Sequence, residues 1–505
     1  MKKLFAALMA IALLLSLCTT AVMAADYYSV TINKEEAGRK YEAYQIFIGD
    51  ISVDDEGKFV LSNIEWGTGV TADGQAAIGD AQAKADTIIT QADAEAFADE
   101  IHDYLTSTCT KAVYNADEKE YVINNLPAGY YLIKEEEDSL PDEKGYTGYI
   151  LKVVGDTETD PKDGETTTFK KVDDKNDSTG AEDDIIWQDS ADHDIGDLID
   201  FKLEATIADN YDEYDNYFFA FHDVEDKGLT FQPDTVKVTI DGVEITDGYV
   251  LKAADECTDG CTFEIVFEDL KDIEAVKAGS TIVVTYKSRL NEDAVVGNKG
   301  NVNKVYGEFS RHPDEDWRGK TKDDVVIVFT YKVEVNKVDE KNEPLAGATF
   351  TLEKFVLNPA GTAEYQGLKG NWEAISTVET KPETTFTFNG LDDGYYRLVE
   401  AEAPEHYNKI DDVYFTVTAE HDILWETQAR EDVLTSLTGD VATGELQFTA
   451  TKEDGKMSTD VVNKRGLILP ETGGMGTYIF YGVGAALAIA AVVFLITKKR
   501  MNAHK

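Results

Sequence analysis

The chain has 505 residues, 97 acidic against 47 basic side chains, a formal net charge of -50 and 43% hydrophobic residues. A charge of that size and sign repels phosphate backbones, so nucleic acid is excluded as a partner. The hydrophobic fraction, with 25 Tyr and 22 Phe, excludes a disordered chain and leaves the acid as a solvated surface over ordinary cores.

In chain order, Lys2 and Lys3 precede an apolar core from Leu4 to Leu17, and Val22-Met23-Ala24 offers small residues to a signal peptidase. Residues 1–24 therefore read as a secretory signal peptide, with cleavage after Ala24. The roughly 440 residues that follow exceed one core and suggest about three domains. Polar stretches at 157–168 (TETDPKDGETTT) and 312–324 (HPDEDWRGKTKDD) mark the expected seams. The predicted domains are 25–160, 161–324 and 325–466, followed by a tail at 467–505.

In the first domain, ITQADAEAFADEIHDYLTSTC places apolar residues at helical spacing. Elsewhere TVKVTIDGVEIT, STIVVTYKSRL, VVIVFTYKVEVNKV, ATFTLEKFVL and TTFTFNGL alternate apolar and polar residues between turn signals. The predicted fold is mainly β: three tandem immunoglobulin-like sandwiches, the first with an added helix. LPAGYYLIKEEEDSLP (Leu126 to Pro141) and LDDGYYRLVEAEAP (Leu391 to Pro404) rhyme, which implies that the first and third domains are related.

Of the four cysteines, Cys18 leaves with the signal. Cys257 and Cys261 are close enough to bridge in an oxidising compartment, and Cys109 is left over. A CxxxC pair also suits metal, but no Cys or His stands near it in sequence, so a disulfide is expected, with two free thiols as the plain alternative. The seven His are scattered, and neither a metal site nor a cofactor is predicted. Asp209 to Tyr217 (DNYDEYDNY) lacks the spacing and Gly of an EF-hand and reads as a solvated loop before a calcium site. No Ser-His-Asp set, HExxH or phosphate loop is visible, so the chain does not read as an enzyme.

The tail runs Leu469-Pro470-Glu471-Thr472-Gly473, then an uncharged apolar stretch from Thr477 to Thr497, then Lys498-Lys499-Arg500. About 20 apolar residues suffice to cross a ~30 Å hydrocarbon core as a transmembrane helix. The basic cluster belongs on the cytoplasmic side, which puts the large amino-terminal part outside. A permanent single-pass anchor is the plain alternative.

LPETG resembles the LPXTG sorting signal of Gram-positive surface proteins, which a sortase cleaves between Thr and Gly, here Thr472 and Gly473. VNKVDEKNEPLAGATFTLEK, YYRLVEAEAP and VVNKRG resemble the collagen-adhesin B-type domain. With YEAYQIF, TFKKV, DSADHDIGD and FHDVEDKGLTF, the whole chain resembles a sortase-assembled backbone (major) pilin. That resemblance implies two chemistries.

The first is an internal isopeptide bond, in which a Lys amine displaces ammonia from an Asn carboxamide. It requires burial, because water keeps the amine protonated, and a neighbouring acid that is itself kept protonated. The matching residues are Lys337, Asn463 and the acid Glu400 in the third domain. In the middle domain they are Lys170, Asn303 and the acid Asp223, with Asn301 as fallback for Asn303. In the first domain Lys134 is taken to stand where Glu400 stands, so no bond is expected there.

The second chemistry is subunit linkage. Asp160-Pro161-Lys162 resembles the YPK pilin motif without its aromatic residue, which makes Lys162 the nucleophile toward the acyl group at Thr472, with Lys152 as runner-up. The implied function is a structural shaft subunit of a covalently polymerised pilus, secreted and anchored to the cell wall after a transient membrane span. The implied partners are pilin-specific and housekeeping sortases, identical subunits, minor pilins and peptidoglycan, with host surface ligands as an open class. The rival readings are a monomeric LPXTG-anchored adhesin, a minor tip or base pilin, and a wall-anchored enzyme.

Overall fold

The structure, a computed structural model, describes residues 27–53, 57–136, 139, 141–142, 144–145, 148–160, 164–180, 185–313, 317–379, 383–425, 432–442, 446–466 and 475–502. The expected signal peptide, Lys162 and the LPETG segment lie outside the described residues.

In the first domain, Tyr27–Ile32 lies between antiparallel Glu120–Pro127 and parallel Thr157–Thr159. A second sheet runs in the order Phe59–Trp66, Tyr41–Val53, Gly129–Glu135, Gly148–Val153. Three helices are inserted: α1 (Ala72–Ile78), α2 (Ala81–Ala85) and α3 (Gln91–His102). The expected helix is α3, begun by a capping box between Thr90 and Asp93. The short α1 and α2 depend on the side-chain caps Thr71 and Asp80. One core fills the space between the sheets. A second lies under the helices, where Phe97 stacks on Phe47 at 5.4 Å.

The middle domain is a sandwich of two sheets. In Leu198–Thr206 the buried residues are Ile199, Phe201, Leu203 and Ala205, so the period of two aims every second side chain at the core. In the third domain Tyr331–Val338 pairs antiparallel with Thr385–Leu391 and parallel with Lys456–Val462, its last strand. This sheet faces a larger one containing Thr349–Leu357 and Gly394–Glu402.

The second seam differs from the expected one. Residues 312–324 are not a linker: Arg318–Lys320 pairs with the Asn301–Ser310 strand, and Asp324–Phe329 pairs with Asn301–Val305 inside the middle domain. Only Thr330 separates Asp324–Phe329 from Tyr331–Val338. The boundary is visible as a slip in alternation: Val326 and Val328 enter the middle core, whereas Phe329, Tyr331 and Val333 enter the third.

Met475–Asn502 forms helix α4 and carries the apolar run. Among the described residues no helix is long and apolar enough to cross a membrane. The transient span is therefore not supported by the structure.

The middle and third domains share a polar joint. Lys354, on a third-domain strand, is buried between Asp392, at 3.0 Å, and Asp194 of the middle domain. Asp194 also accepts the Asp392 backbone N–H at 2.9 Å. Ser178 Oγ donates to the Phe355 carbonyl at 2.7 Å, and Trp425 N–H donates to Asp189 at 2.9 Å. Burial pushes Asp174 up to about 7, helped by the charge of Asp192. Burial pushes His193 down, but the hydrogen bond to Asp197 and the charge of Asp174 outweigh it and lift the imidazole to about 9.

In both groups the folded state holds a proton that the unfolded chain has released. The stabilisation from His193 is complete below its unfolded pKa and is lost as pH rises toward 9. That from the Asp174 proton is lost as pH rises through about 7. Asp192 and Asp197 are shifted down and titrate below this window. The expected outcome is a lower Tm for the two-domain transition at pH about 9 than at pH about 6 by calorimetry. An equal or higher Tm at the alkaline pH would show that these groups titrate near their ordinary values.

Candidate functional site

In the middle domain, Thr167–Asp173 belongs to one sheet, and Phe219–Glu225 and Asn301–Ser310 belong to the other. Lys170, Asp223 and Asn303 all point between them and have no solvent exposure. The Lys170 amine donates to Asp223 Oδ2 and, at 2.8 Å, to the Tyr286 hydroxyl. That hydroxyl donates to Asp223 Oδ2 at 2.9 Å and accepts from Asn303 Nδ2 at 2.9 Å. Tyr286 thus touches all three predicted residues. Glu225 accepts from Asn303 at 3.3 Å and from Ser288.

Burial drives the Lys170 amine down against the pull of Asp223. It drives Asp223 up against the pull of Lys170, and it lifts Glu225 to about 8 with help from the Asp223 charge. Both shifts favour neutral species, a free amine and a carboxylic acid. Among the described residues, Asn303 Oδ1 and Asp223 Oδ1 have no hydrogen-bond partner. The fallback Asn301 is occupied otherwise: its Oδ1 accepts from Val295 N–H at 2.8 Å, and its Nδ2 donates to the Val328 and Val295 carbonyls.

In the third domain Lys337, Glu400 and Asn463 are also without solvent exposure. Lys337 sits opposite Val461 in the parallel first and last strands, and Asn463 N–H donates to the Val338 carbonyl. The Lys337 amine donates to the Val461 and Val338 carbonyls at 2.8 and 3.0 Å. Across the core, Glu400 accepts from Asn463 Nδ2 at 2.9 and 3.1 Å and from Ile410 N–H at 2.9 Å. Burial lowers Lys337 to about 8 despite the Glu400 charge and raises Glu400. Asn463 Oδ1 has no partner among the described residues. Turning this amide over would present the oxygen to a protonated Glu400.

The first domain requires a correction. Counted from the shared Gly-Tyr-Tyr, at Gly129 and Gly394, the residue that answers Glu400 is Glu135, while Lys134 answers Val399. Glu135 is buried and held by the buried Arg39 guanidinium, whereas Lys134 is half-exposed and lies over the Tyr44 ring. The acid is therefore present. Ile32 faces Tyr121 as Val335 faces Phe386, which sets Lys34 in the place of Lys337. The place of Asn463 falls at Asp163, outside the described residues.

Cys257 and Cys261 are not bonded. The first thiol is directed to the Ala253 carbonyl at 3.3 Å and the second to Glu264 at 3.5 Å. Cys261 has His222 as a neighbour besides Cys257, brought from 39 residues earlier in the chain by the sheet. In 209–217, Tyr211, Tyr214 and Tyr217 are core residues, so that stretch is a tyrosine-anchored turn. Lys152 is occupied by the Phe59 carbonyl at 3.1 Å. Sequence reasoning missed Tyr286 and Glu225. Glu225 could have been found as the residue two beyond Asp223 on the same strand face.

Tandem β-sandwiches with lysine, acid and asparagine buried in the middle and third cores are the arrangement that the resemblance to backbone pilins implies. A family profile described as the SpaA prealbumin-like fold domain matches residues 331–432. The trypsin-resistant surface T6 protein of Streptococcus pyogenes serotype M6 is 23% identical over 392 residues, 64% of this chain and 67% of that protein. The solved T6 backbone pilin of serotype M6 S. pyogenes, described as a modular three-domain structure, superposes with a TM-score of 0.56 at 17% identity, over 88% of this chain and all of that one. The full-length major pilin SpaD of Corynebacterium diphtheriae gives 0.50 at 18% identity, over 89% and 100%. These comparisons support the resemblance to Gram-positive backbone pilins.

Arg39→Ala would leave Glu135 buried without its guanidinium, a loss of ~3 to 5 kcal/mol for a broken buried pair. Denaturant unfolding followed by a first-domain probe should show the loss there and leave the other two domains unchanged.

Proposed function

We propose that the chain is the structural shaft subunit of a covalently polymerised pilus, cross-linked within its middle and third domains and joined to the next subunit by sortase. The observation that carries the reading is the pair of fully buried Lys, acid and Asn sets, one in each of these domains. In each, the neutral amine attacks the Asn carboxamide carbon, the C–N bond to the amide nitrogen breaks, and ammonia leaves with the proton from the amine. The acid, Asp223 or Glu400, hydrogen-bonds the carbonyl oxygen and shuttles the proton. Asn303 is preferred to Asn301 because Asn301 is held by backbone groups. Tyr286 positions the middle-domain pair.

No bond is proposed in the first domain. The Arg39 guanidinium engages Glu135, so this acid is paired with a cation in place of an Asn carboxamide. Lys162 supplies the amine and Thr472 of LPETG the acyl group for subunit linkage. Pilin-specific and housekeeping sortases, minor pilins and peptidoglycan are the matching partners. The monomeric adhesin is the second reading, and the linkage peptide decides between them.

Intact mass should be lower than the sequence by one ammonia for each of two bonds, with peptide mapping joining Lys170 to Asn303 and Lys337 to Asn463. An unmodified mass would overturn both, and an added loss of water joining Lys34 to Asp163 would overturn the first-domain reading. Glu400→Ala should leave the third domain folded but unbonded, with stability lower by ~2 to 4 kcal/mol, as for a lost disulfide. Lys162→Ala should abolish the polymer ladder of wall extracts while Lys152→Ala keeps it. Thr472 recovered only on wall peptide would favour the adhesin.

A further inference from the structure

On the outer face of the middle domain, the strand Phe219–Glu225 turns Phe221 and Asp223 inward and His222 outward. In the ladder His222 lies between Glu264 on one neighbouring strand and Tyr306 on the other, with its ring stacked on Tyr306 at 4.6 Å. The loop before Phe263–Phe267 folds over this spot and adds Asp259 and Cys261. One donor atom from each of His222, Asp259, Cys261 and Glu264 lies within 4.8 Å of the other three. His222, Cys261 and Glu264 are buried, while Asp259 is exposed at the mouth and leaves a path for access.

His222 Nε2 lies 3.3 Å from Glu308 Oε2 and, among the described residues, makes no hydrogen bond. His222 Nδ1 lies at hydrogen-bond distance from Asp259 Oδ2, 2.9 Å, and 3.7 Å from Glu264 Oε1. The nearby cation on these carboxylates is Lys252, 3.2 Å from Glu264 Oε2, on the side away from the imidazole. The plain alternative to a metal is an imidazole Nδ1–H that donates to Asp259.

We propose that His222 Nδ1, Asp259, Cys261 and Glu264 form a binding site for a zinc-type divalent ion. The ligand set, one imidazole, one thiolate and two carboxylates, is of the kind zinc accepts. A tetrahedral zinc with bonds of 2.0 to 2.3 Å separates its ligands by ~3.3 to 3.8 Å. The 3.7 Å and 3.5 Å separations, His222 to Glu264 and Cys261 to Glu264, match, and the His222 to Asp259 gap of 2.9 Å needs a small opening. The outer groups are present too: Tyr306 stacks on the imidazole, and the Tyr306 hydroxyl and Cys261 N–H hold Asp259. On binding, the Cys261 thiol gives its proton to solvent. Cys257 lies outside the four, so a Cys257 to Cys261 disulfide and the metal exclude each other.

The test uses the full chain, reduced, stripped with chelator and titrated with cobalt. The wild type and Cys257→Ser should show one cobalt per chain with a near-ultraviolet thiolate charge-transfer band that zinc bleaches. Cys261→Ser should lose the band, and His222→Ala should bind at least ~10-fold more weakly. Zinc should raise the Tm of the wild type and of Cys257→Ser only. A wild-type titration without the thiolate band would overturn the site, and that readout does not depend on any variant folding. Zinc-free chain isolated without reductant, with Cys257 joined to Cys261, would overturn it equally.

Discussion

A lysine amine without solvent exposure at the centre of a β-sandwich is the constraint on which the rest of this molecule depends. Burying an ammonium is costly unless it is paired or becomes neutral, and the chain uses both escapes. Lys354 is surrounded by Asp194, Asp392 and Asp177, is driven well above its ordinary value and stays charged. It is a counter-ion that holds two domains together. Lys170 and Lys337 are driven down, each beside an acid driven up and an asparagine amide. These shifts favour a neutral amine near a neutral acid, the arrangement that the proposed cross-link requires, whereas that around Lys354 is a stabilising one. The first domain takes a third course: its buried cation is the Arg39 guanidinium, which remains protonated and is no nucleophile.

The two reactive sets stand in different places in their sandwiches. In the middle domain Lys170 and Asn303 come from opposite sheets, so the proposed bond would staple the layers face to face. In the third, Lys337 and Asn463 come from parallel neighbours in one sheet, the strands by which the chain enters and leaves the domain. Glu400 reaches them from the opposing sheet. One chemistry is thus supported by two packings, and the acid takes a different position in each.

The β-class and the helix α3 were legible because each rests on local periodicity, while the core lysines came from the resemblance. Lys170 alternates with Val172 and Lys337 with Val335, and both alternations survive in the fold. The seam at residue 324 was misread because polarity was taken for a linker. Residues 318–320 are an edge strand, which is polar because one face meets water. Lys134 was confused with Glu135 because a one-residue slip on a strand exchanges the buried and exposed faces. Tyr286 and the neighbourhood of Cys261 were not legible, since their partners meet only through sheet order. His222 reaches the cysteine loop because Phe219–Glu225 pairs with Phe263–Phe267.

The single residue between the middle and third domains bears on how such a chain would respond to tension. Thr330 can contribute no more than ~3.6 Å of contour length, so there is no slack to be drawn out at this joint and no entropic spring. Lengthening there has to begin with one sandwich tilting on the other, and that motion separates Lys354 from Asp194. The compliance of the joint is therefore set by an ionic contact shut away from water rather than by the disorder of a tether. Under tension it would behave as a latch, rigid up to a threshold and then open.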